Sequence, residues 1–172
     1  MKTETAAGPG VAGASAASFE SFYAATADRV YRALAVTLGD SQLAREATDE
    51  AMARAFVRWR QVATVENPGG WVFRVGLNWA TSWRRKLRRE RVLPQAEHGL
   101  PVVLPAEPDG ADAMAALARL GVAARAVVVC RVLFGLSTVE TARVLHVAEG
   151  TVRSRLSRAM TVLRRELSEE NR

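Results

Sequence analysis

The sequence predicts an all-α protein made of two small helical domains joined by a flexible linker. Residues 19–91 and 112–168 repeat apolar side chains at helical spacing, and neither segment alternates like a strand. Residues 92–111 carry four of the six prolines, which is typical of a linker. Residues 1–18 are mostly Ala, Gly, Ser and Thr and are predicted to be a disordered tail.

Composition narrows the class of protein. The 172 residues carry 24 basic and 18 acidic side chains, and all the basic ones except Lys2 and Lys86 are arginines. The arginines concentrate in residues 84–91 and 153–165, a distribution that predicts two contacts with a polyanion. The chain has no apolar run long enough to span a membrane and no compact apolar segment near its start. We therefore expect a cytoplasmic protein.

The first informative helix follows Asp40 or Ser41, either of which can cap it, and reaches about Arg60. Helical spacing predicts that five of its side chains point inward: Thr48, Met52, Ala55, Phe56 and Trp59. Three carboxylates project elsewhere: Glu46, Asp49 and Glu50. An acidic patch should not contact DNA, so this one is either a docking surface for a protein or a solvated face.

The second informative helix follows Asn67, with proline in its first turn. Its apolar stripe is Val72, Val75, Trp79, Trp83 and Leu87, and its opposite face carries Arg74, Asn78, Thr81, Arg85 and Arg88. Arg84 opens the basic run at its end. Such a polar face suits a nucleic-acid backbone with one or more bases held in a pocket. The two tryptophans on the stripe are predicted to pack in the core rather than to stack on bases.

The C-terminal segment contains the pattern of a helix-turn-helix. Ser137 and Glu140 form a capping box that predicts a short helix over residues 138–145, a turn at 146–148 and a final helix over about 149–168. The final helix buries a stripe of Val152, Leu156, Ala159, Leu163 and Leu167, and it exposes Arg153, Ser154, Ser157, Arg158, Thr161 and Arg165. In this motif the start of the second helix enters the major groove, where arginine can bind guanine.

No catalytic, metal or cofactor site is predicted. The single cysteine, Cys130, is surrounded by valines and is expected to be a buried structural thiol. The two histidines, His98 and His146, do not suffice for a zinc site. We therefore expect no cofactor and no enzymatic activity.

Two sets of segments resemble the sigma factors of bacterial RNA polymerase. Residues 46–50, 67–78 and the basic run at 84–91 resemble sigma region 2, whereas residues 136–142 and 150–159 resemble region 4. With only a short linker between them, the chain is similar to the small extracytoplasmic-function group of the sigma-70 family. His146 occupies a turn position that the family usually fills with glycine.

The resemblance implies a division of labour between the segments. Region 4 would bind the promoter −35 element through Thr151, Arg153, Ser154, Ser157 and Arg158. Region 2 would help to melt the −10 element, with a flipped base at Asn78 and the backbone near Arg74, Arg84, Arg85 and Arg88. Glu46, Asp49 and Glu50 would dock on the polymerase clamp. The implied partners are core RNA polymerase, through its clamp and flap surfaces, promoter DNA and, as in many family members, an anti-sigma protein.

Three other functions stay open at the level of sequence. An autonomous helix-turn-helix regulator would need residues 112–168 but would leave the first half unexplained. A modulatory sigma-like protein would bind polymerase or DNA without starting transcription. An enzyme with an attached DNA-binding domain would need a catalytic site that the sequence does not offer.

Overall fold

In the computed structural model of the chain, residues 10–90 and 110–170 are described. Within those ranges the chain forms eight α-helices and no strand, which confirms the predicted all-α fold. The helices are α1 Gly10–Leu38, α2 Ser41–Val57, α3 Trp59–Val62, α4 Pro68–Glu90, α5 Gly110–Ala118, α6 Val122–Val132, α7 Thr138–Leu145 and α8 Glu149–Glu170. None of these helices is both long and apolar enough to cross a bilayer.

The predicted helix starts in the N-terminal half are confirmed. The Leu43 N–H donates to Oδ1 of Asp40 at 2.9 Å, and the Gly70 N–H donates to Oδ1 of Asn67 at 2.6 Å. Helix α2 ends at Val57, three residues earlier than predicted, because Arg58 leaves helical geometry with φ −109° and ψ 20°. The short helix α3 then turns the chain toward α4.

The core of the N-terminal half (α1 to α4) lies where α1, α2 and α4 meet. Leu34, Ala47 and Phe73 have no exposed surface there. A Cβ atom added to Gly76 would lie 2.8 Å from Cδ1 of Leu34 and 2.9 Å from the carbonyl oxygen of Ala47. The α4 backbone therefore approaches its neighbours more closely than any side chain at position 76 would allow.

Aromatic rings close one end of this core. The Phe22 ring centroid lies 4.8 Å from that of Trp59, and the Phe19 ring meets both Trp59 and Phe56 edge-on, at 5.3 and 5.1 Å. These contacts anchor the end of α2 and the start of α3 against α1.

The C-terminal half (α5 to α8) contains two smaller cores. One contains Val127, Ala142 and Val152, and the other contains Leu120, Val128 and Ala159. Both involve α6 and α8, and α8 packs against α5, α6 and α7, so α8 is the central helix of this half.

The two halves also share a core, a contact that the sequence does not predict. Ala126, Val129 and Cys130 of α6 are buried in the same apolar cluster as Leu34 and Phe73 of the N-terminal half. The predicted domains are therefore packed together in this structure.

The predicted tail and linker are only partly described. Residues 10–18 of the predicted disordered tail lie in α1, so the prediction is wrong for them; four alanines between residues 12 and 17 favour the helix. Residues 1–9 and 91–109, which include most of the predicted linker, lie outside the described residues.

Candidate nucleic-acid interface

Helices α7 and α8 form the predicted helix-turn-helix, and its first helix begins at a complete capping box. The Ser137 N–H donates to Oε2 of Glu140 at 2.6 Å, and the Glu140 N–H donates to Oγ of Ser137 at 3.2 Å. The hydrogen bonds with Ser137 hold the pKa of Glu140 below its ordinary value. The ionised form of Glu140 is thus the form that completes the cap.

His146 ends α7 in the left-handed conformation, with φ 52° and ψ 51°. Among non-glycine residues, histidine is one of those that enter this region more readily. The Val147 N–H then donates to the carbonyl oxygen of Ala142 at 3.1 Å, which closes the turn and directs the chain into α8. The turn predicted at residues 146–148 is confirmed.

The second helix presents the five predicted −35 residues on its first three turns. Arg153, Ser157 and Arg158 are exposed, and Thr151 and Ser154 are half-buried. Val152 and Ala159 lie in the two small cores and fix the rotation of α8 about its axis. This rotation turns the two arginines and Ser157 to the surface.

Two of these side chains have partners within α8. The Ser154 hydroxyl donates to the carbonyl oxygen of Thr151 at 3.1 Å, and Nη1 of Arg153 lies 3.4 Å from Oε2 of Glu149. The ion pair is solvent-exposed, and pairs of this kind contribute about 0–1 kcal/mol. Arg153 can therefore exchange Glu149 for a base or a phosphate at small cost.

Helix α4 presents the predicted −10 residues in two groups. Asn78, Arg85 and Arg88 are exposed, and Arg74 is half-buried on the same face. The fifth residue, Arg84, leaves this face and points to the end of α1. Nη1 and Nη2 of Arg84 both donate to the carbonyl oxygen of Leu38 at 3.1 Å, and Nη2 lies 3.5 Å from Oδ2 of Asp40.

The position of Arg84 gives it a structural role that the sequence does not predict. A cation that binds a carbonyl at a helix C-terminus interacts favourably with the helix dipole. Arg125 of α6 lies nearby, and burial, together with the positive charge of Arg84, lowers the pKa of Arg125. Two arginines, one from each half, therefore converge at the end of α1.

Arg74 contacts the helix-turn-helix itself. Its Nη1 lies 2.6 Å from Nε2 of His146. Because arginine can only donate, Nε2 of His146 must accept and therefore carries no proton. This contact links the predicted −10 surface to the turn of the other half, and residues 72 apart in sequence gave no signal for it.

The three predicted docking carboxylates lie along α2. Glu46 accepts from Nε2 of Gln42 at 3.4 Å, and Glu50 accepts from Nε of Arg54 at 2.7 Å. Asp49 is exposed at the edge of an open groove, whose other lining residues are Phe19, Tyr23, Met52, Ala53 and Phe56. The acidic patch therefore borders an apolar surface.

Sequence reasoning missed the apolar part of this surface. Phe56 is 55% exposed, so the prediction that it points inward is wrong; α2 ends one residue later, and Phe19 covers only an edge of the ring. Val57 beside it is 81% exposed. The sequence does contain one signal of this surface: Val57, at the end of α2, is an apolar residue that lies off the apolar stripe of the helix.

The two tryptophans on the predicted apolar stripe of α4 lie in different surroundings. Trp79 packs against the main core as predicted, but Trp83 is 41% exposed and the prediction for it is wrong. The buried positions of α4 stop at Ala80, so the helix has left the core before Trp83. The rings stack with centroids 5.9 Å apart and an interplanar angle of 4°.

Within residues 10–90 and 110–170, no group of three His, Cys, Asp or Glu side chains could hold a metal ion. Cys130 is fully buried, as predicted, and burial raises the pKa of its thiol to about 12. The thiol is therefore protonated and structural.

Most of the chain is similar in sequence to known proteins. The family model for sigma-70 region 4 matches residues 111–163. The chain is 31% identical over 151 residues to the RNA polymerase sigma-E factor of Streptomyces coelicolor, covering 87% of this chain and 85% of that one. It is 31% identical over 167 residues to the ECF RNA polymerase sigma factor SigL of Mycobacterium tuberculosis, covering 93% and 94%.

A solved structure shares the fold. The sigma factor RpoE, in its complex with the anti-sigma factor NepR from Bartonella quintana, superposes with a TM-score of 0.71 at 19% identity. The superposition covers 88% of this chain and 97% of the other. At this level of identity, the likeness concerns the arrangement of helices.

Proposed function

Since the chain belongs to the extracytoplasmic-function (ECF) sigma factors of RNA polymerase, we propose that it is a dissociable transcription initiation factor. It binds core RNA polymerase, brings it to promoters of one class and helps to open the −10 element. The observation that carries the proposal is the exposed basic face of α8, presented by a capped helix-turn-helix inside the segment that matches region 4.

The C-terminal half supplies recognition of the −35 element. The start of α8 enters the major groove, where Arg153 and Arg158 bind base edges, with Ser154 and Ser157 beside them. Thr151 lies at the first turn and contacts the backbone. The burial of Val152 and Ala159 supports this orientation, because it holds the opposite side of α8 against the protein.

The N-terminal half supplies capture of the −10 element. Asn78 is exposed on α4 and receives a base that leaves the duplex, which offsets part of the unpairing cost of a few kcal/mol. Arg85 and Arg88 follow the backbone of the same strand. Arg74 joins them once it leaves His146, whereas Arg84 supports the site from behind by holding the end of α1.

The acidic patch of α2 docks on the polymerase clamp. Glu46, Asp49 and Glu50 attract a basic surface, and the exposed apolar residues Phe56 and Val57 supply area that is dehydrated on binding.

The C-terminal half contacts the flap. An anti-sigma protein is a further partner, a proposal supported by the NepR-bound relative that shares the fold. The protein works in the cytoplasm and carries no catalytic step of its own.

Run-off transcription from a promoter library tests the proposal. Purified protein is added to core RNA polymerase that lacks its own sigma factors, and we expect initiation at one promoter class that depends on the added protein. DNA binding without core and no initiation with it would instead identify an autonomous regulator. Binding to the native host's core without initiation would identify a modulatory protein.

Two variants test the assignment of surfaces. Asn78→Ala should leave binding to duplex DNA intact and impair opening, measured by permanganate reactivity of unpaired thymines; unchanged opening would remove the base-capture role. Replacing both Glu46 and Glu50 with lysine should weaken binding to core polymerase. An unaltered affinity would show that the acidic patch is a solvated face.

A further inference from the structure

An apolar row of side chains runs along one side of α4. Its members follow each other at intervals of four residues, which places them side by side on a helix: Trp71, Val75, Trp79 and Trp83. The first three are half-buried and pack against the main core, whereas Trp83 is 41% exposed. This row, here named the tryptophan ridge, contains three of the four tryptophans of the chain.

The tryptophan ridge offers a continuous apolar surface to a partner. At one end, the parallel rings of Trp79 and Trp83 lie 5.9 Å apart. At the other end, the ridge borders an open groove between α2 and α4, which is lined by Ala53, Arg54, Val57, Arg58, Trp71 and Val75. Val57 in this groove is 81% exposed. A contiguous exposed apolar surface marks a binding site for another apolar group.

A segment with matching chemistry follows α4 in the same chain. Residues 91–109, which connect α4 to α5, lie outside the described residues, but their sequence contains an uninterrupted apolar run at 100–105, LPVVLP. Pro101 and Pro105 favour the polyproline II conformation, and aromatic-lined grooves bind segments of this kind. Because proline already restricts the backbone, such a segment loses little conformational entropy when it binds.

The apolar run and the tryptophan ridge have the same length. From Trp71 to Trp83 the helix rises by about 18 Å, and six residues of polyproline II rise by about 19 Å. In polyproline II every third residue lies on the same side, so Pro101 and Leu104 can face the ridge together. The run can therefore lie along the whole ridge.

The linker is long enough to bring the run to the ridge. Helix α4 ends at Glu90, which lies about 10 Å beyond Trp83 and about 28 Å beyond Trp71 along the helix axis. Residues 91–99 span up to about 32 Å when extended. At the other end of the linker, Met114 and Leu117 of α5 pack against the same core as the ridge. The linker thus starts and ends beside the N-terminal half.

Charges around the two surfaces are complementary. Arg58 is exposed on the groove at the Trp71 end of the ridge, and the apolar run is flanked by the acidic residues Glu97 and Glu107. The acidic patch of α2, by contrast, attracts a basic partner. The ridge and the acidic patch therefore suit partners of different chemistry.

From these features we infer that the tryptophan ridge is the docking site of the chain's own linker, with residues 100–105 lying along it. A segment tethered so closely has an effective concentration of about 1 mM, so an intrinsic Kd of about 0.1 mM keeps it docked for about nine-tenths of the time. The linker is then a ligand of α4 as well as a tether. The contact needs neither DNA nor polymerase, so its test is independent of the proposed function.

Competition with a synthetic peptide tests the docking site. The probe is a fluorophore-labelled peptide of residues 97–107, and its binding to the full chain is followed by fluorescence anisotropy. Leu100→Ser, Val103→Ser and Leu104→Ser, introduced together, remove the apolar run and free the ridge. We expect this freed variant to bind the peptide with a Kd of about 0.1 mM and the wild type to bind it about tenfold more weakly, because its own linker competes.

Matched variants show whether the effect belongs to the run and to the ridge. Gln95→Ser, Ala96→Ser and Gly99→Ser, three substitutions in the same linker outside the run, should leave peptide binding as weak as in the wild type. In the freed variant, Trp83→Ala should weaken peptide binding at least tenfold. Phe56→Ala, which removes an exposed aromatic ring from the groove between α1 and α2, should not. Equal binding by wild type and freed variant would overturn the inference, and so would binding that is insensitive to Trp83→Ala.

Photo-cross-linking identifies the occupant without disturbing the ridge. A benzophenone amino acid replaces Val102, and mass spectrometry locates the linked residues after irradiation. We expect links to the stretch of α4 from Trp71 to Trp83, within the monomer and at every protein concentration. Links that form only in dimers would assign the ridge to a second copy of the chain and overturn the inference. If the free chain gives no link to α4 and core polymerase blocks peptide binding to the freed variant, the ridge belongs to polymerase and the inference fails.

Discussion

The predicted nucleic-acid arginines of the two halves differ in the partners they have. In the N-terminal half, Arg74 and Arg84 are engaged by distant parts of the chain, namely His146 and the carbonyl oxygen of Leu38. In the C-terminal half, Arg153 pairs, among the described residues, only with Glu149 of its own helix, and Arg158 lies exposed on α8. The comparison teaches that arginine clusters alone do not locate a DNA surface. An arginine near a helix C-terminus or a neighbouring turn acquires a protein partner, and the availability of that arginine then depends on conformation.

The halves also differ in how tightly they are packed. Around Gly76 an added Cβ would meet backbone and side-chain atoms below 3.0 Å, whereas around Gly150 of α8 it would meet nothing within 4 Å. The helices of the N-terminal half therefore pack closely around Gly76, whereas the start of α8 faces open space at Gly150.

The largest expected effect is the loss of a buried aromatic ring from the N-terminal core. Phe73→Ala removes a fully buried side chain that also supports Phe134, and we expect a loss of about 3–5 kcal/mol in the free energy of unfolding. Urea denaturation followed by circular dichroism measures it. The matched control is Phe56→Ala, at a position 55% exposed, which should cost less than about 1.5 kcal/mol. Equal costs would mean that Phe73 does not organise the core.

Glycine-to-alanine substitutions should have opposite signs in the two halves. Gly76→Ala forces α4 away from Leu34 and Ala47 and should destabilise the protein by about 1–3 kcal/mol. Gly150→Ala meets open space in a helix and should stabilise it by up to about 1 kcal/mol. Thermal unfolding of the two variants and the wild type measures both changes in stability. If both substitutions changed the stability in the same direction, the two sites would not differ in packing.

The arginines of the two halves should contribute differently to DNA binding. Arg158→Ala should cost about 1–3 kcal/mol of discrimination between correct and altered −35 sequences, because we propose that Arg158 reads a base. Arg85→Ala should weaken binding to all sequences alike and lower the slope of log K against log salt by about one, because we propose that Arg85 contacts phosphate. Fluorescence anisotropy with holoenzyme at several salt concentrations distinguishes the two. Uniform weakening by Arg158→Ala would make that residue a phosphate contact as well.

The contact between Arg74 and His146 should appear as a coupling energy. The left-handed conformation of residue 146 costs most residues other than glycine about 1–2 kcal/mol. Glycine at this position removes that cost, but it also removes the hydrogen bond to Arg74. His146→Gly should therefore stabilise an Arg74→Ala background more than it stabilises the wild type, by about 0.5–1.5 kcal/mol. Denaturation midpoints of the four proteins complete the cycle. Identical gains in both backgrounds would mean that the two side chains do not interact.

The smallest effects concern the capping box of α7. Ser137→Ala should cost about 1 kcal/mol. The pKa of Glu140 is lowered in the folded chain, so its contribution is complete above the unfolded-state pKa and is lost as pH falls through the lowered folded-state pKa. Glu140→Gln keeps the reciprocal contact without a charge. Thermal unfolding between about pH 3 and pH 7 should show a stability difference from wild type that shrinks on acidification; a constant difference would mean that the carboxylate does not act through its charge.

Local features of the fold could be read from the sequence because they depend on neighbouring residues. The caps at Asp40 and Asn67 and the capping box at Ser137 are each made within a few residues and are found where predicted. The left-handed conformation of His146 agrees instead with the family resemblance, in which glycine usually occupies this turn position.

Features that depend on the ends of helices and on distant partners could not be read in this way. Helical periodicity places Phe56 and Trp83 on inward stripes, but it does not say where the neighbouring helix stops, and both are exposed. Periodicity also gives no account of Arg84 at the end of α1, or of the 72-residue separation that the contact between Arg74 and His146 bridges. The surface between the two halves could not be predicted for the same reason, because its residues are far apart in the sequence.

Because of its position, Cys130 can report how often the core shared by the two halves opens. The thiol lies in the core that α6 shares with α1 and α4, and its pKa is raised to about 12 by burial. A thiol reagent can attack it only during moments when that core is breached, in the manner of amide hydrogen exchange. The modification rate, compared with that of the unfolded chain, therefore gives the fraction of time for which the core stands open. The native Cys130 side chain, which has no proposed part in recognition, thus reports the free energy of that opening without an introduced cysteine.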